Sequence, residues 1–129
     1  MTFKKGDIFH STNFPSIDHG KFFVVLGQNA THIIGAFFIN SNIRGFLLSK
    51  PRLLELQVGL SPDEYAFLTH NSYLDCSQVI KIPSAVLLAD IQAGVATRRG
   101  SLHPKDLELV LNLVRDSKVF SPADQEFFK

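Results

Sequence analysis

The feature that most constrains the fold of this chain is a series of short apolar segments, separated by turn residues, in its first half. Lys21 to Leu26 and His32 to Asn40 are two such segments, and Gln28-Asn29-Ala30 between them has the composition of a hairpin connection. Eight of the twelve phenylalanines precede residue 50, and phenylalanine favours the half-buried surface of a sheet. The first half is therefore predicted to consist of β-strands.

Further strands are predicted on both sides of this hairpin. Asp7 to His10 is a candidate strand before a polar loop over residues 11–20, and Leu53 to Leu60 is another after an irregular excursion. Ser61-Pro62-Asp63 is typical of a β-turn, and two more strands are predicted over 65–69 and 73–82. Strands of this length with turns between them favour a small barrel or sandwich.

Helix signals begin only after Pro83. Ser84 is predicted to cap a helix that ends near Gly94, and His103-Pro104 opens a second helix with an apolar face. Ser121-Pro122 starts a third, with serine as the cap and an acid three residues later. With strands first and helices last, the predicted fold class is α+β (mainly β), one domain over residues 1–129 with a C-terminal helical segment from about 84 to 129.

Composition narrows the class of protein without naming a function. The chain is 45% hydrophobic and 19% charged, with a formal net charge of +1, which excludes collagen, coiled-coil and low-complexity chains. Its longest apolar run, residues 33–39, is far below the ~20 residues of a transmembrane helix, and the N-terminus lacks a secretory signal. We expect a cytoplasmic protein with no membrane partner.

Charge is distributed unevenly along the chain. Residues 1–60 carry six Lys and Arg against three acids, whereas residues 61–129 carry seven against nine. A basic first half suits an RNA partner, although an excess of three charges gives only a modest attraction.

Three groups of residues are candidates for a catalytic or binding site. The five histidines lack the helical spacing of a zinc protease, so they are interpreted as loop and strand-edge residues, with a metal site from distant strands left open. Strand alternation places Cys76 on the same face as Leu74, which predicts a buried thiol, the alternative being a thiol enzyme with His70. Arg98-Arg99 can hold a phosphate or carboxylate, or form a solvated turn between two helices.

The order of motifs resembles the PemK/MazF-like toxin family over residues 4–116. The resemblance rests on Lys5-Gly6-Asp7-Ile8-Phe9-His10 with its polar loop, on the apolar strand from Gly20 to Gly27, and on Phe37-Phe38-Ile39-Asn40-Ser41. The segment from Ser72 to Val79 is similar to the strand that precedes the family's C-terminal helix.

The resemblance implies an SH3-like β-barrel and a homodimeric endoribonuclease that cuts single-stranded RNA without metal or cofactor and is inhibited by an antitoxin. Attack of a 2′-hydroxyl on phosphorus needs a charge stabiliser and a proton-transferring group. The resemblance implies Lys21 and Ser41 for these catalytic roles, and His19 and Arg44 as RNA-binding residues.

This chain departs from the family at one important position. It has Lys21-Phe22 where the family typically has Arg-Pro, and lysine lacks the bidentate fork that grips a phosphate. The alternative function is therefore a catalytically inactive barrel that serves as a protein-interaction module.

A homodimer is also predicted from apolar residues without an evident place in the core. Phe46-Leu47-Leu48 and Phe127-Phe128 lie in segments with no strong strand or helix pattern, and a two-fold interface would bury them. The competing interpretation is that Phe127 and Phe128 fold back onto their own chain.

Overall fold

The structure is a computed structural model that describes residues 3–13, 20–39, 56–68, 72–76, 79–117 and 120–128. These residues form seven strands: β1 Asp7–Ser11, β2 Lys21–Gln28, β3 His32–Ile39, β4 Gln57–Leu60, β5 Ser72–Asp75, β6 Ile80–Pro83 and β7 Ala96–Ser101. They also form three helices: α1 Ser84–Gln92, α2 Pro104–Asp116 and α3 Pro122–Phe127. The predicted α+β class with mainly strands is confirmed.

The strands form one antiparallel sheet in the order β4-β5-β3-β2-β1-β7. β3 has two neighbours on one side, because its first half pairs with β6 and its second half with β5. Among the described residues, β4 and β7 end this order and do not pair with each other. The described strands are therefore an open sheet, and the predicted SH3-like barrel is not confirmed.

The β2–β3 hairpin forms where the sequence predicts it. The side-chain Oδ1 of Asn29 accepts hydrogen bonds from the backbone N–H groups of Thr31 and His32, at 2.9 and 2.8 Å. Such a bond lets asparagine stabilise a turn locally. Gly27 has a different role, because a Cβ there would overlap the carbonyl oxygen of Phe127.

The sheet buries apolar side chains on both faces, since neighbouring residues of a strand point to opposite sides. One face carries Ile8, Val24 and Ile34 into a core shared with α2 and Phe128. The other carries Phe9, Phe23 and Ile33 into a smaller core shared with Leu87 of α1. We call these faces the α2 face and the α1 face.

The C-terminal helix docks on α2 through specific contacts. The Ser121 hydroxyl accepts a hydrogen bond from the Asp124 N–H at 3.1 Å, so the predicted cap is confirmed. Gln125 donates to the carbonyls of Val114 and Ser117 at 3.1 and 2.8 Å. Phe128 then lies fully buried against Phe120.

This packing overturns one argument for a homodimer. Phe128 belongs to the core of its own chain, and Phe127 is half-buried against that core. The pair therefore folds back, as the competing interpretation held. Residues 46–48, the other apolar segment, lie outside the described residues.

Three local predictions are wrong. Residues 65–68 form turns rather than a strand, because the Tyr65 side chain bonds to α2 and the backbone folds over Ser61. The segment 73–82 contains two short strands, β5 and β6. Ser84 is the first residue of α1, whose N-cap is Pro83 and has no side-chain cap bond.

The largest correction concerns Arg98-Arg99. Residues 96–101 are the strand β7, not a solvated turn, so the C-terminal segment is not wholly helical. Pairing with β1 makes this strand, and the bonds from Thr12 N–H to Val95 and from Leu102 N–H to Gly6 extend its ladder. Pairing with a distant partner overrides a local composition typical of a turn.

Candidate functional site

The structure describes one of the four site residues that the sequence predicts. Lys21 begins β2, is half-buried and lies opposite Ser11 in β1. Alternation along β2 places it on the α1 face with Phe23. His19, Ser41 and Arg44 lie outside the described residues.

On the α2 face, five ring side chains make consecutive contacts. Along this row the ring centroids are separated by 4.7, 5.0, 6.1 and 4.5 Å. We call this set the aromatic row; it consists of His10, Phe22, Phe67, Tyr65 and His103. Where a ring face in such a series is open to solvent, a nucleic-acid base can stack on it.

Four separate segments bring the row together. His10 and Phe22 are register partners in the β1–β2 ladder. Phe67 and Tyr65 come from the turns over 61–68, and His103 is the N-cap of α2. His103 is exposed and His10, Phe22 and Phe67 are half-buried, whereas Tyr65 is buried. Most of the row is therefore accessible from solvent.

Glycine at position 20 makes room for the first ring of the row. A Cβ atom at this position would overlap the imidazole of His10. The backbone of residue 20 therefore approaches one side of His10, while Phe22 contacts its ring at a T-shaped angle of 60°. These contacts fix the position of the imidazole.

A cation adjoins this end of the row. Burial, and next the positive charge of Arg99, lower the pKa of His10 below its usual value. His10 is therefore mainly a neutral imidazole at pH 7, able to accept a proton within the influence of the Arg99 charge. A neutral base with an adjacent cation suits proton abstraction near a phosphate.

The neighbouring arginine, Arg98, makes its contacts on the opposite face of the sheet. Arg98 pairs with buried Asp7, at 3.3 Å between Nη2 and Oδ1, and donates to the Ser101 hydroxyl at 2.6 Å. Asp7 also accepts a hydrogen bond from the Lys4 N–H at 3.0 Å. Arg98 is therefore part of the structure's internal bonding, whereas Arg99 is next to His10.

A hydrogen-bond network fixes the other end of the row. The Tyr65 hydroxyl donates to Asp106 Oδ2 at 2.5 Å and accepts from the His103 N–H at 3.0 Å. Burial, and next the bond to Asp106, raise the pKa of Tyr65 far above its usual value. Tyr65 therefore stays protonated and joins the turn over 61–68 to the first turn of α2.

A polar cavity of about 350 Å³ lies beside this network. Two carboxylates, three hydroxyl groups and the backbone of β4 line it: Glu64, Asp106, Ser61, Ser72, Tyr73, Gly59 and Leu60. We call it the polar cavity. Its volume lies in the range of roughly 300–1,000 Å³ that small-ligand pockets occupy.

A second cavity of about 310 Å³, mainly apolar, lies on the α1 face between β6 and α1. Phe23, Ile80, Ile82 and Leu87 contribute to its wall, and Val86 at its rim is 42% exposed. Asn13 and Asp90, joined by a hydrogen bond of 2.9 Å, also line it. We call it the apolar cavity.

The cysteine is buried, as predicted. Cys76 has no solvent exposure, and burial, followed by the charge of Asp75, raises the pKa of its thiol to about 12. The thiolate that a cysteine nucleophile requires is therefore scarce at neutral pH. His70, its proposed partner, lies outside the described residues.

The remaining features are metal-ion sites and membrane-spanning helices. Within the described ranges, no three His, Cys, Asp or Glu side chains are grouped so that they could hold a metal ion. In the same part of the chain, no helix has both the length and the apolar character needed to cross a bilayer.

Comparison with known proteins adds no relative: no family model matches the chain and no curated protein matches it. The PemK/MazF-like resemblance therefore stays a prediction.

Sequence reasoning did not find the aromatic row. It treated His10 and His103 as ordinary surface histidines and assigned Tyr65 and Phe67 to a strand. One signal was available: two aromatic residues, Tyr65 and Phe67, stand two residues apart shortly after the turn at Pro62. The contact between this pair and Phe22 depends on packing that spans more than 40 residues of the chain.

Proposed function

We propose that this protein binds single-stranded RNA along the aromatic row and cleaves it without a metal ion, as a toxin of the PemK/MazF-like type. The observation that carries the proposal is the aromatic row, with Arg99 near enough to its first ring for the arginine charge to lower the pKa of His10. The SH3-like barrel, the homodimer and the antitoxin partner are parts of the same proposal.

Stacking and charge together support RNA as the ligand. Each base stacked on an aromatic ring contributes about 1–3 kcal/mol to single-strand binding, and cations along the path attract the backbone. Arg99 supplies such a cation near His10, and Lys105, 72% exposed, supplies one beyond His103. The two cations lie near opposite ends of the row, as a strand laid along it requires.

His10 and Arg99 supply the groups that RNA cleavage needs. In the proposed step, neutral His10 accepts the proton of a 2′-hydroxyl as its oxygen attacks the adjacent phosphorus. The bond from phosphorus to the 5′-oxygen breaks, and the leaving oxygen takes a proton from the imidazolium or from water. The products are a 2′,3′-cyclic phosphate and a 5′-hydroxyl, and Arg99 stabilises the negative charge on phosphorus.

The site residues that the family resemblance implies are also part of the proposal. Lys21 lies on the α1 face but is the first residue of β2, and it is proposed to contact a phosphate where the RNA leaves the row past the end of this β-strand. Ser41 is proposed as a second proton-transferring group, and His19 and Arg44 as further RNA contacts. Their roles stay predictions.

The test uses a labelled single-stranded RNA of mixed sequence with purified protein in EDTA. We expect cleavage by the wild type, loss of cleavage with retained binding in His10→Ala, and weaker binding with slower cleavage in Arg99→Gln. Arg98→Gln, at a temperature where circular dichroism shows it to be folded, is the matched control, because the same charge is removed from the other face of the sheet.

Two results would contradict the proposal. If wild-type protein neither binds nor cuts the RNA, the proposal fails entirely. If His10→Ala, shown by circular dichroism to be folded, cuts as fast as wild type, His10 is not the base. Loss of binding in Arg98→Gln equal to that in Arg99→Gln would show a general charge effect instead of a local contact.

The apolar cavity supports a second candidate function, the interaction module. Its apolar wall and the exposed Val86 at its rim offer a place for an apolar side chain of a protein partner such as an antitoxin. A pull-down with wild type and Val86→Asp, with and without nuclease treatment, tests it. A protein that survives nuclease and is lost with Val86→Asp supports the module, whereas recovery of RNA alone contradicts it.

A further inference from the structure

We propose that the polar cavity is a base-reading pocket that accepts guanine from the bound strand, an inference that rests on the proposed RNA-binding function. Glu64 and Asp106 line the cavity, and each is linked directly to the aromatic row. The proposal gives the row a sequence preference that stacking on its own does not provide.

The cavity lies beside the Tyr65 end of the row, because two of its lining residues, Glu64 and Asp106, adjoin Tyr65 in the chain or bond to it. Glu64 precedes Tyr65 in the chain, and its carbonyl oxygen lies 2.8 Å from the His103 Nε2. Asp106 Oδ2 accepts the bond from the Tyr65 hydroxyl. A strand stacked along the row therefore reaches the cavity at the end where Tyr65 and His103 meet.

Tyr73 and Gly59 shape one wall of the cavity. They are register partners in the β4–β5 ladder, so their Cβ positions share one side of the sheet. Because Gly59 has no side chain, the Tyr73 ring extends over its backbone, 3.5 Å from where a Cβ would lie. This leaves a flat aromatic surface in the wall, which suits a planar base.

The hydrogen-bonding groups of the wall select among the four bases. An ionised carboxylate only accepts hydrogen bonds, and proteins read unpaired RNA bases on their Watson–Crick edges. Guanine presents two neighbouring donors there, N1–H and the N2 amino group, which match the two oxygens of one carboxylate. Adenine, cytosine and uracil each present a single donor group on this edge.

Charge near the mouth of the cavity suits the phosphates that flank such a base. The Lys105 ammonium lies 3.7 Å from the Glu64 carboxylate, and both side chains are well exposed, at 72% and 45%. Lys105 can therefore contact a phosphate while Glu64 faces the base. This arrangement offsets the repulsion between the carboxylates and the RNA backbone.

The test measures binding of eight-nucleotide RNAs by fluorescence anisotropy, with every ribose 2′-O-methylated so that cleavage cannot occur. The probes are all-uridine, or carry one guanosine, inosine or adenosine at the fourth position. We expect the guanosine probe to bind about tenfold tighter than all-uridine, in line with a bidentate base contact. Inosine, which lacks the N2 amino group, should lose most of that preference.

Glu64→Gln replaces an acceptor pair by one acceptor and one donor, and we expect it to reduce the guanosine preference below about twofold. Glu108→Gln is the matched control, because it removes the same charge from an exposed position of α2. It should keep the full preference.

The outcomes separate this inference from the proposed function. Equal binding of the guanosine and all-uridine probes, or tighter binding of adenosine, overturns the guanine pocket and leaves RNA binding intact. Failure to bind any of the probes overturns both. An unchanged preference in Glu64→Gln, or an inosine probe that binds as tightly as guanosine, also overturns the pocket.

Discussion

The imidazole of His10 lies so close to the backbone of Gly20 that a single methyl group at position 20 would overlap it. Gly20→Ala should therefore displace the imidazole while leaving it in the chain. A displacement of about 1 Å at a reacting group can lower a rate about 100-fold, so we expect RNA cleavage to fall at least about tenfold.

The measurement for Gly20→Ala is single-turnover cleavage, with thermal unfolding in parallel. The ring is the far end of a side chain, so the melting temperature should change little. Unchanged cleavage in the folded variant would show that the position of His10 does not matter to the reaction. Gly59→Ala, whose Cβ would meet Tyr73 at an ordinary 3.5 Å, is the control for the effect of alanine in this sheet on folding.

Cleavage should depend on pH through His10. Because burial and Arg99 lower the pKa of this imidazole, the active neutral form persists to a pH below its ordinary value of about 6.5. The cleavage rate should therefore rise with pH, with its inflection below pH 6.5. In Arg99→Gln the repulsive charge is gone, so the inflection should move upward. An inflection that stays in place in the variant would refute the coupling of these residues.

The thiol of Cys76 should react slowly with alkylating agents. It should also make the folded protein less stable at alkaline pH. Its pKa is raised to about 12 in the folded chain, compared with about 8.5 for a free thiol. The unfolded chain therefore binds fewer protons above pH 8.5, and the free energy of unfolding should decrease as the pH rises through this window.

Iodoacetamide labelling and urea titrations at two pH values check both expectations for Cys76. Native protein should be alkylated far more slowly than urea-unfolded protein at neutral pH. Cys76→Ala is the control, because it should lose the thiol's part of the alkaline decrease in stability. Rapid labelling of the native protein would restore the thiol-enzyme alternative.

Removal of the Asp7 carboxylate should destabilise the fold. Asp7 is buried and accepts hydrogen bonds from the Lys4 N–H and from Arg98. Hydrogen bonds to charged groups contribute about 1.5–3 kcal/mol, so Asp7→Ala should lower the free energy of unfolding by about that amount. Asp90→Ala, which removes an exposed bond to Asn13, should cost less than about 0.5 kcal/mol. Equal losses in urea titrations would contradict this assignment.

Elements specified by local chemistry could be predicted from the sequence. The hairpin depends on Asn29 and the last helix on Ser121, and each of these side chains bonds to backbone within three residues. Strand β7 could not be predicted this way, because Ala96–Ser101 becomes a strand only by pairing with β1, almost 90 residues earlier. Its composition, with two arginines and a glycine, is typical of a turn.

The candidate site was harder to predict than the fold for the same reason. The rings of the aromatic row come from four separate segments, and no spacing in the sequence brings Phe22 next to Phe67. The family resemblance implies a catalytic role for Lys21, which lies on the α1 face. His10 and Arg99 instead lie near the α2 face. The sequence predicts that the Arg98-Arg99 pair can bind an anion, but it does not indicate that the two side chains have different partners.

That difference arises from an irregularity in the β1–β7 ladder, where the register shifts between Ile8 and Phe9 and leaves Arg99 as the extra residue. Two identical, adjacent side chains thereby differ in their surroundings: Arg98 bonds to Asp7 and Ser101, whereas the charge of Arg99 acts on His10. Deleting a single residue from the connection over 93–95 would shift the register of β7 against β1 by one residue. The positions that Arg98 and Arg99 now occupy would then be exchanged. In this protein, insertions and deletions around β7 are thus a more direct route to altered chemistry than replacement of either arginine.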